Sequence, residues 1–266
     1  MDVRARNNVR VVGSADGPTL MLAHGFGCDQ NLWRLVVPLL EARFRIVLFD
    51  HVGAGSSHPD AWDNARYSTL QQYADDVLDI VRELDLVDVV FVGHSVASMI
   101  GVLAAAADPG AFRGLVLLTP SPRYIDDDDY RGGFSRHDID ELLESMESNY
   151  LGWASAMAPT IMGTPDRPEL GDELTDSFCR TEPTRALAFA RTTFLSDNRA
   201  DLARVTVPTL VIECSEDTLA PREVGAYVRD QIAGSELVTL EATGHCPHLS
   251  VPEPTATAIA GFADRV

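Results

Sequence analysis

Val89-Val90-Phe91-Val92-Gly93-His94-Ser95-Val96-Ala97 decides how the chain is read. The first four residues are β-branched or aromatic and form a short apolar run, the pattern of a buried strand. After them, Ser98-Met99-Ile100-Gly101-Val102-Leu103-Ala104 reads as a helix. Gly93 to Ala97 is therefore a tight turn between strand and helix, with a serine at its apex. A serine there projects Oγ from the carboxyl edge of a sheet. It also lies at a helix N-terminus, where backbone N–H groups have no intrahelical partner.

Outward from this motif, short apolar runs alternate with helical patterns. Thr19-Leu20-Met21-Leu22-Ala23, Phe44 to Phe49 and Leu115-Val116-Leu117-Leu118 read as strands. Asn31 to Ala42 reads as one helix. Leu70 to Leu84 reads as another, with Tyr73, Val77, Ile80, Val81 and Leu84 on one face. Such alternation predicts an α/β fold, a mostly parallel sheet with helices on both faces. The alternation stops after Pro120. Residues 131–198 show helical spacing and no strand, as in Leu142, Leu143, Met146 and Tyr150. Within them Trp153 to Met157 reads as a short helix ended by Pro159, followed by helices over Leu170 to Phe178 and Pro183 to Leu195. The sheet resumes at Thr209 to Glu213 and Glu236 to Leu240, with helices after Pro221 and Pro254. The expected organisation is a core in two parts, residues 1–130 and 199–266, with a four-helix cap inserted at 131–198.

A serine hydroxyl needs a base to take its proton, and the base needs a carboxylate to fix its tautomer. In this fold class the order along the chain is serine, acid, histidine. Asp217 follows the strand at Leu210 and is the candidate acid, with Glu216 and Glu213 as competitors. His245, in Gly244-His245-Cys246-Pro247-His248, follows the last strand and is the candidate base, with His248 as its rival. Gly244 permits a sharp turn there, and His94 is read as structural. His24-Gly25-Phe26-Gly27 follows the first buried strand, so the N–H groups of Phe26 and Val96 are the candidate oxyanion donors. Asp50-His51-Val52-Gly53-Ala54-Gly55-Ser56 lacks both a phosphate-binding lysine and dinucleotide glycine spacing, and reads as a structural turn.

Composition narrows the function classes. With 266 residues and 45% hydrophobic content the chain can bury a sizeable core. A formal charge of −19 argues against nucleic acid and anionic membrane surfaces as partners. The N-terminus has no apolar signal-peptide core, and no stretch approaches a membrane span. Cys28, Cys179, Cys214 and Cys246 have neither paired nor metal-like spacing. The expectation is a cytoplasmic protein with free thiols and neither metal nor cofactor. Asp126-Asp127-Asp128-Asp129 reads as a solvated loop rather than a cation site.

The glycine-flanked serine resembles the nucleophile elbow of the α/β-hydrolases, with Ala97 in place of the usual final glycine. More narrowly, the chain resembles the RsbQ-like branch, a family of bacterial stress regulators whose plant relatives are the karrikin and strigolactone receptors. The similarity is carried by His24 to Gln30, Val92 to Val96, Ser121-Pro122-Arg123-Tyr124, Gly132-Gly133-Phe134, Asn149-Tyr150, Gly152-Trp153 and Gly244 to His248. The resemblance implies a V-shaped four-helix cap over a deep apolar pocket. It implies walls from Phe26, Tyr124, Phe134, Trp153, Phe189 and Phe194, with Val96, Leu142, Met157 and Thr193 adding to the lining. A pocket of that kind suits a small hydrophobic ester, lactone or enol ether. The implied activity is that of a carboxylic-ester or lactone hydrolase. The alternative is a signalling protein that binds or slowly turns over a small ligand and acts on a sensor-domain phosphatase.

Overall fold

The apolar runs become seven strands of one sheet in a computed structural model that describes residues 1–266. The strands are β1 (Arg10–Gly13), β2 (Thr19–Ala23), β3 (Arg45–Leu48), β4 (Val89–His94), β5 (Phe112–Leu118), β6 (Thr209–Glu216) and β7 (Glu236–Thr243). Their order across the sheet is β1-β3-β2-β4-β5-β6-β7. All neighbours are parallel except β1, which runs antiparallel to β3. Every residue of β2 and β4 is buried, as befits central strands covered on both faces.

Side chains alternate across these strands and divide the core in two. Met21, Phe91, Leu115, Leu117 and Val211 face one side; Leu20, Val90, Val92, Val116 and Ile212 face the other. Twelve helices surround the sheet. In the first half they are α1 (Val3–Arg6), α2 (Val37–Leu40), α3 (Leu70–Glu83) and α4 (Val96–Ala107). Helix α3 buries Tyr73, Ala74, Val77, Ile80 and Val81 along one stripe. Helix α4 lies against both the sheet and α3, so ten of its residues, Val96 through Ala105, are buried.

Between β5 and β6 come four long helices, α5 (Arg136–Ser148), α6 (Tyr150–Met162), α7 (Pro168–Arg180) and α8 (Pro183–Phe194), and the short α9 (Arg199–Leu202). The long four carry most of a third buried cluster, including Leu143, Met146, Trp153, Ile161, Leu174 and Phe178. The chain ends with α10 (Arg222–Gln231), α11 (Pro247–Ser250) and α12 (Pro252–Ala263). None of these helices is long and apolar enough to cross a membrane.

Two local expectations are corrected, and one strand carries no sequence signal. Asn31 to Ala42 is not one helix but a 3-10 turn, Gln30–Trp33, and the single turn α2. In a helix begun at Asn31, Pro38 would supply no N–H and its ring would clash with the Arg34 carbonyl, so the segment closes through bonds such as Val36 N–H to Trp33 O. Pro159 does not end its helix: α6 continues to Met162 and stops at Gly163, in the left-handed region. Helix α7 packs closely here through Gly171, where a Cβ would sit 3.3 Å from Pro159 Cα. Finally, β1 was not expected. It is a four-residue edge strand with no buried residue, and so lacks the apolar run that marks the others.

Candidate active site

The site is built at the carboxyl edge of the sheet. Ser95 follows β4 with φ 57° and ψ −123°, a conformation that costs a non-glycine residue about 1–3 kcal/mol. The strain is held by packing around the turn. Ser95 N–H donates to Leu118 O on β5 at 2.8 Å, and Ser98 Oγ donates to Gly93 O at 2.7 Å. Gly93 is required sterically, since a Cβ would lie 2.4 Å from Ala97 O. Ala97 itself is fully buried, so a small residue fills the place of the usual glycine without obstruction.

Asp217 lies immediately beyond β6, and its carboxylate is held by the N–H groups of Leu219 at 2.8 Å and Ala220 at 3.1 Å. The same carboxylate is 2.8 Å from His245 Nδ1, and both side chains are almost wholly buried. An ionised carboxylate only accepts, so Nδ1 carries the proton. His245 Nε2 is then the acceptor, and Ser95 Oγ lies 2.8 Å from it. Tyr124 OH stands 3.4 Å from Ser95 Oγ on the other side. With the Oγ proton directed at Nε2, the phenol donates to Oγ; burial pushes its pKa up to about 12, keeping that proton in place.

The turn carrying His245 is tied to the helical insertion. His245 N–H donates to Ile161 O at 2.8 Å, near the end of α6. Gly244 has φ 86°, and a Cβ there would come within 2.1 Å of Met162 O. His248, one turn on, is fully buried between Trp33 and His94, with ring centroids 4.9 and 4.4 Å away, and does not reach Ser95. Burial drives its pKa down to about 3 and holds the His94 imidazole neutral as well. His94 Nε2 meets His245 O at 2.9 Å, a bracing contact rather than a proton path.

A narrow, mostly apolar cavity of about 30 Å³ lies above the serine. Of the residues expected to line it, Phe26, Tyr124, Leu142, Trp153, Met157, Thr193 and Phe194 do so. Phe134, Phe189 and Val96 do not. Phe189 packs against Tyr73 at 4.8 Å and His51 at 6.1 Å, over the sheet, and reaches the site only through Phe26 at 5.9 Å. Phe134 is fixed in a loop by its own backbone, whose carbonyl accepts from Asp126 N–H and whose N–H donates to Tyr124 O. Cys28, Ile161, Leu174, Phe178, Leu219 and Cys246 line the cavity but were not anticipated. Helical spacing gave a signal for three of them: Ile161 follows Trp153 and Met157 at four-residue intervals, and Leu174 and Phe178 are four apart. Cys246 adjoins His245 in sequence.

Phe26 N–H donates to no protein group, and Val96 N–H begins α4, where no carbonyl lies one turn back. Asp50, in the glycine-rich turn, accepts from Gln30 N–H, Ser56 N–H and Asn8 Nδ2, so that loop is structural. The aspartate run is exposed throughout; Asp127 pairs with Arg199 at 3.0 Å. The donor atoms of His94, Cys246 and His248 lie within 4.8 Å of one another, the one grouping with metal-ligand chemistry. All four thiols are free; burial pushes the pKa of Cys28 and Cys246 up, leaving both protonated.

Comparisons with known proteins agree with this architecture. Residues 20–258 match the model of the alpha/beta hydrolase family. A probable esterase from Oryza sativa subsp. japonica is 42% identical over 252 residues, covering 94% of this chain and 93% of the relative. The karrikin insensitive 2 receptor IA of Petunia hybrida is 41% identical over 248 residues, covering 93% and 90%. Among solved structures, a hydrolase from Oleispira antarctica superposes with a TM-score of 0.97 at 41% identity, covering all of this chain and 97% of the other.

Proposed function

This chain belongs to the alpha/beta hydrolase family, and we propose that it is a serine hydrolase acting on a small, largely apolar ester, lactone or enol ether. The observation that carries the reading is the continuous chain Ser95 Oγ, His245 Nε2, His245 Nδ1, Asp217, with 2.8 Å at each link. Ser95 attacks the acyl carbon while His245 takes its proton. The resulting imidazolium is balanced by Asp217, and the oxyanion is received by the N–H groups of Phe26 and Val96. His245 then returns the proton to the leaving oxygen. Water, activated by the same imidazole, hydrolyses the acyl-serine. Tyr124 OH, already directed at Oγ, adds a donor beside the reacting centre. The probe is a serine-directed fluorophosphonate read by intact mass: the wild type gains one adduct and Ser95→Ala none. Equal labelling of the two removes Ser95 from its role.

A second reading uses the same site for perception. It is supported by the largely apolar pocket over Ser95 and by relatives described as receptors. On this reading turnover is slow and the liganded state is passed to a partner, for which a sensor-domain phosphatase is the specific candidate. Ligand-dependent capture of such a phosphatase, with Ser95→Ala as the non-turning control, tests it.

A further inference from the structure

The cavity wall contains three hydroxyls, those of Ser95, Tyr124 and Thr193. The first two satisfy each other and His245. Thr193 is 1% exposed, and its Oγ1 has no hydrogen-bond partner. Its neighbours on the same helix and elsewhere in the insertion behave differently. Thr192 Oγ1 donates to Ala188 O at 3.0 Å, Thr175 Oγ1 to Gly171 O and Ser155 Oγ to Leu151 O, each folding back one turn. The equivalent acceptor for Thr193 is Phe189 O, which it does not use. A buried hydroxyl that forgoes this local partner is costly unless something else meets it.

We propose that Thr193 is the polar recognition point of the pocket, and that the ligand carries a second oxygen, carbonyl or ether, remote from the scissile carbonyl. The inference rests on the serine-hydrolase reading of the same cavity. A purely hydrocarbon acyl chain would leave Oγ1 unpartnered and desolvated. An oxygen placed in the chain accepts its proton and makes the hydroxyl an asset. Discrimination between such a pair follows the rule that sites built to bond a polar atom reject analogues lacking it.

The test uses p-nitrophenyl esters of straight-chain acids, each paired with the equal-length acid bearing a keto oxygen at successive carbons. Thr193→Val removes the hydroxyl at nearly constant volume, and Thr193→Ser retains it. For at least one keto position, kcat/KM should fall about 5- to 100-fold in Thr193→Val, the worth of one buried hydrogen bond. The keto-to-hydrocarbon ratio of kcat/KM should fall with it, and Thr193→Ser should restore the preference. An unchanged keto-to-hydrocarbon ratio at every position overturns the proposal. Fluorophosphonate labelling of Thr193→Val shows that the triad is intact. If the wild type cleaves no ester, calorimetric binding of the same pairs to Ser95→Ala, with and without Thr193→Val, decides the subsite separately from the hydrolase reading.

Discussion

Replacing Asp217 by asparagine tests the logic of the proton chain most directly. One carboxylate oxygen, Oδ1, accepts from the N–H groups of Leu219 and Ala220. In Asp217→Asn the amide oxygen must stay at that position, since an NH₂ group facing two N–H donors is repelled. The amide nitrogen then occupies the Oδ2 position, 2.8 Å from His245 Nδ1. It donates, and although Oδ1 also lies 2.9 Å from Nδ1, an N–H there would face the NH₂ group, so the arrangement with Nδ1 accepting and the imidazole proton on Nε2 is favoured. Nε2 can no longer take the proton of Ser95. The volume is unchanged and the two backbone bonds survive, so the fold should hold while catalysis fails. Loss of the productive tautomer in comparable triads lowers turnover by about 10⁴, equivalent to roughly 5.5 kcal/mol of transition-state stabilisation. Steady-state hydrolysis of p-nitrophenyl acetate near neutral pH, beside a thermal melt within about 2 °C of wild type, is the measurement. A loss below tenfold in a folded variant would refute the tautomer argument and demote Asp217 to a turn cap.

Gly93→Ala should cost upwards of about 2 kcal/mol in urea unfolding, because its Cβ meets the backbone of Ala97 at 2.4 Å rather than a movable side chain. His248, with its folded pKa near 3 against about 6.5 unfolded, binds a proton more readily when the chain is unfolded. Its contribution is therefore present above pH 6.5 and declines between pH 6.5 and 3 by up to about 1.4 kcal/mol per unit. His248→Gln should flatten that part of the urea midpoint-versus-pH curve, and an unaltered slope would place the acid sensitivity elsewhere. Under native conditions only Cys179 is exposed, so Ellman's reagent should titrate one thiol promptly and the other three only on unfolding. Rapid reaction of a second thiol would show that the cavity lining is open to the reagent.

The sequence was most legible where backbone geometry leaves little choice. An apolar strand, Gly93, an exposed-edge serine and an apolar helix admit one arrangement, and the structure has it. Asp217 and His245 were readable because each follows a strand of the same edge. His245 is preferred to His248 in the sequence by its post-strand position and the preceding Gly244, whereas the packing that seats His248 against Trp33 leaves no mark there. The pocket was read by aromatic identity, which is a poor guide: Phe189 and Thr193 are a turn apart on α8, yet one packs toward Tyr73 and the other lines the cavity. The aliphatic walls Ile161 and Leu174 carried no chemical mark beyond helical spacing. The edge strand β1 was silent because an exposed, four-residue strand has no hydrophobic period to detect.

The hydrogen bond from His245 N–H to Ile161 O bears on how freely the insertion can be exchanged. Here the last turn of α6 is also the seat of the His245 loop, since its carbonyls crowd against Gly244 and receive the N–H of His245. A graft between residues 131 and 198 would thus have to keep the Ile161 and Met162 carbonyls where Gly244 and His245 N–H meet them. Selectivity and reactivity are consequently inherited together in this scaffold. The path to new substrates runs through single wall positions, such as Thr193, rather than through replacement of the whole insertion.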